Sequence, residues 1–382
     1  MQISYSKQKI DANDIKAVVK VLQSDFLTQG PLVRKFEDSL KKYCNSKYAV
    51  SLSSASSALY AACKALDLKE NDILWTSPNT FVASANCALL CGAKVDFVDI
   101  DPKTYNMCAD ELEQKLYKAS KINALPKVVM PVHFAGQPCN MKRIYDLSKK
   151  YKFRIIEDAS HAIGSSYKKH KIGSCKYSDI SVFSFHPVKI ITTGEGGACL
   201  TNNPELANKI FNFRNHGVTR DIKQMNKKNI GPWYYEQIDI GYNFRLNDIS
   251  CALGISQLKK LDKIIIKRQK MYNYYNDLCK GNKIKIPFQN KDIKSSNHLY
   301  VVRIKEKNLK KSKKDVFEYF KKNNIILNVH YIPVHYHPYY VKLGFKKGSF
   351  PNSEKYYQEA FSLPLYLGIK KIDQKKVINN FK

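Results

Sequence analysis

Lys189 is the residue whose setting most clearly indicates chemistry. It follows an apolar segment and precedes the flexible turn Thr193-Gly-Glu-Gly-Gly197. A lysine in a partly desolvated site has a lowered pKa and becomes an amine nucleophile, which is suited to forming a Schiff base with a carbonyl group. The chain has 56 lysines, so the residue type alone says little. The position of Lys189, 31 residues after Asp158 and five after Ser184, is what singles it out.

Asp158 ends the apolar segment Arg154-Ile-Ile-Glu-Asp158, and His161 follows three residues later. A carboxylate at the end of a buried strand needs a cationic partner, because an unpaired buried charge is costly. A protonated pyridine nitrogen would be such a partner. The alternative is an aspartate that caps the following turn.

Two further segments could bind an anion. Ser53-Ser-Ala-Ser-Ser-Ala-Leu59 leads from a predicted strand into a predicted helix, and the first amides of a helix bind phosphate. Ser54, Ala55 and Ser56 are placed to do so, with simple N-capping as the alternative. Gly241-Tyr-Asn-Phe-Arg-Leu-Asn-Asp248 brings an asparagine and an arginine to a helix start, where the alternative is a capped turn.

These groups must be positioned by an alternation of strands and helices. Strands are predicted over 48–52, 72–76, 94–98, 127–132 and 153–157, and helices over 56–66, 79–90, 109–118 and 140–151. This rhythm predicts an α/β fold with a mostly parallel sheet, which binds ligands at the carboxyl ends of its strands. A long helix is predicted over 247–279. We place a domain boundary near residue 250, between a large domain (1–250, with an N-terminal arm) and a smaller α+β domain (251–382).

The combination of a phosphate-binding helix start, an aspartate for a pyridine nitrogen, a Schiff-base lysine and the aromatic ring of Phe81 describes a pyridoxal-phosphate site. The same segments carry a family resemblance. Glu157-Asp-Ala-Ser-His-Ala-Ile-Gly164 and Ser184-Phe-His-Pro-Val-Lys-Ile-Ile-Thr-Thr-Gly-Glu-Gly-Gly197 resemble the DegT/DnrJ/EryC1/StrS sugar aminotransferases. The resemblance runs from Leu27-Thr-Gln-Gly30 to Ser362-Leu-Pro-Leu365 and implies the fold of aspartate aminotransferase, fold type I of the pyridoxal-phosphate enzymes.

The resemblance also implies roles for individual residues. Lys189 would bind the cofactor aldehyde and move protons, Asp158 would hold the ring nitrogen, and His161 would lie near the ring's 3-oxygen or pack against the cofactor. Phe81 would stack on the ring. Phosphate contacts would come from Ser54, Ala55, Ser56, Ser184 and, from the partner of a homodimer, Asn243. The family often has asparagine and threonine in the phosphate segment where this chain has Ser53 and Ser56, and Ser56 keeps the hydroxyl.

The implied substrates are glutamate and a nucleotide sugar. Some relatives carry histidine at the position of Lys189 and act as dehydratases, so the lysine favours transamination. Within the family, Trp233-Tyr-Tyr-Glu-Gln237, Ser295-Ser-Asn-His-Leu-Tyr300 and Val329-His-Tyr331 most resemble the aminotransferases of pseudaminic acid biosynthesis. These aminate C4 of a UDP-linked 2-acetamido-2,6-dideoxy-4-keto-L-hexose. The alternative is a perosamine- or bacillosamine-type 4- or 3-aminotransferase.

That narrower resemblance places a set of residues in the sugar-nucleotide site, although packing of a small-domain strand is an alternative explanation for His330 and Tyr331. The expected substrate-binding residues are Tyr5, Leu27, Thr28, Gln29, Gly30, Val329, His330, Tyr331 and Ile332.

Composition bears on the competing classes of protein. The net charge is +31, but it comes from 56 lysines against only eight arginines, and solvated surface lysine explains it better than a nucleic-acid interface rich in arginine. A Rossmann dehydrogenase would need glycines where Ser51-Leu-Ser-Ser-Ala-Ser56 has none. A catalytically silent relative would not need both Lys189 and Asp158.

The expected environment is a reducing one. The ten cysteines form no disulfide framework or zinc motif, and no signal peptide or membrane span is predicted. We therefore expect a cytoplasmic protein with no metal and no membrane partner. His335 and His337 could ligate a metal, but a loop bounded by two prolines explains them more simply.

Overall fold

The computed structural model describes residues 2–227, 230–281, 284–304 and 312–381. Its strands, in chain order, are β1 (Tyr48–Leu52), β2 (Ile73–Thr76), β3 (Lys94–Phe97), β4 (Val128–Met130), β5 (Arg154–Asp158), β6 (Ser166–Tyr167), β7 (His170–Lys171), β8 (Ile180–Ser184), β9 (Gly197–Thr201), β10 (Val218–Thr219), β11 (Glu236–Gln237), β12 (Ile293–Lys294), β13 (Tyr300–Arg303) and β14 (Ala360–Leu363).

Helices cover both faces of the main sheet and build much of the C-terminal part. They are α1 (Ala12–Leu22), α2 (Pro31–Cys44), α3 (Ala55–Ala65), α4 (Ala83–Leu90), α5 (Ala109–Ser120), α6 (Met141–Tyr151), α7 (Pro204–Arg214), α8 (Asp248–Leu258), α9 (Leu261–Cys279), α10 (Lys313–Lys322), α11 (Pro338–Lys342), α12 (Pro351–Glu359) and α13 (Lys371–Asn379).

The main sheet has seven strands in the order β1-β9-β8-β5-β4-β2-β3. Strand β9 runs antiparallel to both of its neighbours, and the other adjacent pairs are parallel. This confirms the predicted mostly parallel sheet. The carboxyl ends of β5 and β8 therefore meet at one edge, where Asp158 and Ser184 are the last residues of their strands.

Two apolar layers sandwich this sheet. Ile155 packs on one face, with residues of α2, α5, α6 and α8, and Ile156 packs on the other, with α3, α4 and α7. Successive residues of a strand point to opposite faces, so one strand contributes to both layers. The carboxyl end of β5 is therefore held by apolar packing on both faces of the sheet.

A third apolar cluster lies in the C-terminal part and combines β13 and β14 with α9, α10 and α13. Ile3 of the N-terminal arm joins it, through a parallel bridge to Ile325. The arm thus packs on the C-terminal cluster rather than on the main sheet. The domain boundary near residue 250 remains a prediction.

The element predictions hold best for the strands. The strand over Tyr48–Leu52 is confirmed to the residue. The helix expected from Asn79 begins only at Ala83, and Asn79–Val82 form a turn that carries site residues. The single helix expected over 247–279 is wrong, because α8 ends at Leu258 and α9 begins at Leu261.

The break between α8 and α9 has no glycine or proline to announce it. Lys260 instead bonds to the carboxylates of Asp11, the N-cap of α1, and of Asp14, within α1, at 2.7 Å each. Asp14 is fully buried, so this contact ties the break to the first helix. A tertiary ion pair marks a boundary that local propensity does not.

Helix α1 turns several apolar side chains away from the core of its own chain. Ile15, Val19 and Leu22 are 58%, 43% and 56% exposed, while Asp14 and Val21 are buried. The helix therefore presents an apolar stripe to the outside of the chain.

Candidate active site

A cavity of about 710 Å³ opens at the carboxyl ends of β5 and β8, beside the start of α3. We call it the central cavity. Most residues that the sequence placed in the site line it: Tyr5, Ser54, Ala55, Ser56, Phe81, Asp158, His161, Ser184, Lys189, Val329, His330 and Tyr331. The fold thus brings together residues up to 326 positions apart in the chain.

Other predicted site residues lie elsewhere. Gln29 and Gly30 line a separate cavity of about 450 Å³, together with Arg34 and Arg245, while Leu27 and Thr28 are exposed nearby. Asn243 and Ile332 are exposed and lie outside the described lining of the central cavity. Within one chain, these residues do not reach the cavity of Lys189.

Lys189 lies just beyond β8, in the turn that follows His186. Burial lowers the pKa of its amine to about 8, and the nearby carboxylate of Asp158 opposes this shift only in part. A larger fraction of the amine is therefore neutral near physiological pH than in an exposed lysine. That is the property an amine nucleophile requires.

Asp158 is 5% exposed and is held by two donors. Its Oδ1 accepts a hydrogen bond from the Ser160 amide at 3.1 Å, and its Oδ2 accepts one from the Ser84 hydroxyl at 2.6 Å. A carboxylate oxygen has lone pairs for more than one donor. The carboxylate is thus fixed in orientation and keeps accepting capacity toward the cavity.

The start of α3 offers two amides to an anion. Ser54 caps the helix by accepting from the Ser57 amide at 3.1 Å, whereas the amides of Ala55 and Ser56 have no acceptor among the residues described. A Cβ at Gly197 would lie 2.5 Å from the Ser54 carbonyl oxygen. Glycine there lets β9 approach the helix start closely. Capping by Ser54 is therefore compatible with anion binding, because the amides of Ala55 and Ser56 remain available to a ligand.

His161 is buried, and the direction of its hydrogen bonds follows from geometry. Its Nδ1 accepts from the Ala135 amide at 3.3 Å, so the proton of the neutral ring is on Nε2. That proton points to the Tyr331 hydroxyl oxygen, 3.0 Å away. Burial, Lys189 and His330 hold the pKa of His161 well below its usual value, which keeps the ring neutral.

Because the Tyr331 oxygen accepts from His161, its own proton remains available for a second partner. Burial raises the pKa of Tyr331, and Asp158 and Tyr5 add to the effect, so the phenol stays protonated. His330 bonds through Nδ1 to Ser362 at 2.8 Å, and burial lowers its pKa to about 3. The part of the central cavity formed by His161, His330 and Tyr331 is therefore lined by neutral polar side chains.

Sequence reasoning missed several residues of the cavity. Thr80 and Ser84 line it from the turn before α4 and from its first turn, and their spacing of four was the only available signal. His298 also lines it and lies 4.4 Å from His161 between ring centroids. It belongs to the segment Ser295–Tyr300, but no sequence pattern around His298 indicates that it lines a cavity.

The structure bears on metals and membranes only within its described residues. There, no group of three histidine, cysteine or acidic side chains is arranged to hold a metal ion. His335 instead bonds to Glu354 at 2.9 Å. Across the helices described, none has the length and apolar character needed to cross a bilayer.

The cavity's residues fit pyridoxal phosphate on observations independent of any relative. A lysine with a lowered pKa suits the aldehyde, the oriented carboxylate of Asp158 suits the ring nitrogen, and two unpaired helix amides suit the phosphate. Ser184, at the end of β8, adds a hydroxyl group to the lining of the central cavity.

Comparison with known proteins agrees with this fit. Residues 8–382 match the DegT/DnrJ/EryC1/StrS aminotransferase family. A UDP-4-amino-4,6-dideoxy-N-acetyl-beta-L-altrosamine transaminase of Campylobacter jejuni is 42% identical over 366 residues, which is 95% of this chain and 92% of that protein.

Two solved structures are similar throughout. Helicobacter pylori PseC, an aminotransferase of pseudaminic acid biosynthesis, has a TM-score of 0.90 at 34% identity and covers 100% of this chain and 98% of its own. The putative sugar aminotransferase Spr1654 of Streptococcus pneumoniae, in its PLP form, has a TM-score of 0.89 at 28% identity, with 100% and 98% covered.

Family, fold and cavity agree, and the predicted fold type and cofactor are confirmed. The chain belongs to the DegT/DnrJ/EryC1/StrS aminotransferase family and is a sugar aminotransferase that depends on pyridoxal phosphate.

Proposed function

We propose that the chain transfers an amino group from glutamate to C4 of a UDP-linked 2-acetamido-2,6-dideoxy-4-keto-L-hexose. The product would be UDP-4-amino-4,6-dideoxy-N-acetyl-β-L-altrosamine. The support is the C. jejuni relative of that name at 42% identity, together with a cavity lined by Lys189, His330 and Tyr331.

When bound, pyridoxal phosphate supplies an aldehyde that accepts amino groups and a ring that withdraws electrons. Lys189 Nζ, with a pKa of about 8, accepts and releases protons near neutral pH, so we assign it the proton transfers at the reacting carbon. Asp158 would accept a hydrogen bond from the ring nitrogen and favour its protonated form. The amides of Ala55 and Ser56, with Ser184, would hold the phosphate end.

The sugar would lie against the part of the central cavity formed by His330 and Tyr331. The proton of the Tyr331 hydroxyl is available to a keto or hydroxyl oxygen, because His161 occupies the oxygen's accepting side. His330 and Tyr5 are adjacent, with ring centroids 5.7 Å apart. Val329 completes this part of the cavity. We propose that these four residues contact the sugar.

The deciding experiment incubates the purified protein with glutamate and a panel of 4-keto-6-deoxy sugar nucleotides, followed by mass spectrometry. We expect a gain of an amino group on the L-altro precursor at a kcat/KM at least about tenfold above the other isomers. Preference for a D-configured 4-keto sugar or for a 3-keto sugar would contradict the proposed substrate while leaving the aminotransferase activity intact.

We also propose that the active unit is a homodimer. Asn243, assigned to the phosphate, is exposed and lies outside its own central cavity, and so do Leu27, Thr28, Gln29 and Gly30. Large apolar side chains are also exposed on α1 and in the stretches of sequence that contain these residues, namely Ile15, Val19, Leu22, Phe26, Trp233, Tyr235, Ile240 and Tyr242. A second copy of the chain would bury such side chains.

Subunit complementation tests this arrangement. Lys189→Ala and Asn243→Ala are purified separately, and each should be severely impaired. A mixed dimer contains one site with an intact lysine from one subunit and an intact asparagine from the other, so mixing with subunit exchange should restore up to about half of the activity per heterodimer. No recovery in a verified heterodimer would place Asn243 outside the partner's site.

A further inference from the structure

Three side chains form a hydrogen-bonded chain that leads from α4 into the central cavity. Thr80 Oγ1 lies 2.8 Å from Ser84 Oγ, and Ser84 Oγ lies 2.6 Å from Asp158 Oδ2. Thr80 is 2% exposed, Ser84 is fully buried and Asp158 is 5% exposed. The chain is therefore shielded from bulk water along its length.

The direction of this chain is fixed by the donor and acceptor capacity of its members. An ionised carboxylate only accepts, so Ser84 must donate its single hydroxyl proton to Asp158. Ser84 then has only lone pairs left for Thr80, and Thr80 must be the donor. The order is Thr80 to Ser84 to Asp158, and each donation polarises the next hydroxyl.

If Ser84 only stabilised its own helix, its hydroxyl would have a different hydrogen-bond partner. A serine in the first turn of a helix commonly bonds to a backbone group of its own segment. Ser84 instead directs its hydroxyl across to β5, a strand 74 residues further along the chain. The second oxygen of Asp158 is fixed by the Ser160 amide at 3.1 Å, so the carboxylate is held from both sides.

We propose that Ser84 is a positioning residue for Asp158, and that Thr80 orients Ser84. The pair would hold the carboxylate in the orientation that the cofactor's ring nitrogen requires. This inference rests on the proposed role of Asp158 toward that nitrogen. It assigns Thr80 and Ser84 a function beyond lining the cavity beside Phe81.

The test uses Ser84→Ala, Thr80→Val and a matched control, Ser181→Ala. Ser181 lies on β8 and is fully buried, like Ser84, but its Oγ has no hydrogen-bond partner among the described residues. The readouts are the dissociation constant for pyridoxal phosphate of each apoprotein, the pH dependence of the absorption of the bound cofactor, and kcat and KM.

Ser84→Ala should weaken cofactor binding about tenfold and lower kcat by about 10- to 100-fold, because a hydrogen bond to a charged group is lost. The pH at which the bound cofactor changes its absorption should also shift. Thr80→Val should act in the same direction by about two- to fivefold. The KM for the sugar nucleotide and all parameters of Ser181→Ala should stay near those of the wild type.

Equal behaviour of Ser84→Ala and Ser181→Ala, with an unshifted absorption profile, would overturn the inference. If Ser84→Ala fails to fold, Thr80→Val decides, since it keeps the shape of threonine and leaves Ser84 in place. The proposed function fails differently. A wild-type protein that binds the cofactor but does not aminate sugar nucleotides would refute that function and leave the effect of Ser84 on cofactor binding measurable.

Discussion

Two lysines in different parts of the molecule share a lowered pKa. Burial lowers the pKa of both Lys189, in the central cavity, and Lys313, at the start of α10, to about 8. They differ in what surrounds the amine. Lys189 faces a cavity with a carboxylate nearby, whereas Lys313 donates to the Tyr357 carbonyl and lies over the ring of Phe361, 5.4 Å from its centroid.

The difference shows that a reactive amine requires more than desolvation. Burial also lowers the pKa of Lys313, but its amine lies over the rings of Tyr357 and Phe361 and already donates to a carbonyl. Lys189 combines the same desolvation with open volume for a ligand and with the carboxylate of Asp158. A shifted pKa is therefore evidence for function only when the surrounding residues also form a suitable site.

The largest expected effect separates the two lysines directly. Lys189→Ala should abolish turnover, a loss of at least about 1,000-fold, because the amine that binds the cofactor and moves protons is removed. Borohydride reduction followed by peptide mass spectrometry should find a pyridoxyl group on Lys189 in the wild type. Lys313→Ala is the matched control and should keep near-normal kcat, so a pyridoxyl group on Lys313 would break the comparison.

The second-largest effect is expected from replacing Asp158, whose carboxylate lies near Lys189. Asp158→Asn should lower kcat by about 100- to 10,000-fold, because a neutral amide does not hold the ring nitrogen in its protonated form. The protein should still take up cofactor, since Lys189 and the α3 amides remain. Spectrophotometry and steady-state kinetics measure both, and a near-normal rate would assign the ring nitrogen to another group.

The pKa of Lys189 predicts how cofactor uptake depends on pH. Only the neutral amine attacks the aldehyde, and the neutral fraction rises as pH increases through the pKa of about 8. The rate at which apoprotein captures pyridoxal phosphate should therefore rise about tenfold per pH unit below roughly pH 8 and level off above it. An ordinary exposed lysine would keep rising to roughly pH 10, and a profile of that kind would contradict the assigned desolvation.

The smallest effect concerns the stability contribution of Lys313. Lys313→Ala should lower the free energy of unfolding by about 1 kcal/mol, because a hydrogen bond and the packing of the methylene chain are lost. Lys313→Met, which keeps most of the chain, should lose less. Urea denaturation of apoprotein measures this, and a loss of activity without a loss of stability would give Lys313 an unexpected role in catalysis.

Several parts of the fold followed from local patterns. Strands such as Tyr48–Leu52 are short apolar runs between turn residues, so period and length identified them. The breaks in helices were harder. Nothing at Lys259 or Lys260 signals an end to α8, because the residue that matters, Asp14, lies about 240 positions earlier in the chain and meets Lys260 only through folding.

The candidate active site likewise contains some residues that the sequence identified and others that it did not. Lys189 and Asp158 could be selected from sequence because Asp158 ends an apolar strand, Lys189 follows one, and each carries a group with specific chemistry. Ser84 could not, since serine in a helical segment is common and its function depends on a carboxylate 74 residues away. Leu27–Gly30 and Asn243 show the reverse, because sequence resemblance selected residues that a single chain does not bring to its own cavity.

The sequence by itself determined the family, the mostly parallel sheet and the cofactor, and it singled out Lys189 as the candidate amine, because these depend on local periodicity and on motifs with specific chemistry. Only the tertiary structure decided the orientation of Asp158 by Ser84, the proton direction from His161 to Tyr331, and the outward apolar face of α1. Hydrogen-bond direction and exposure depend on which distant segments meet, and that is a property of packing rather than of any window of sequence.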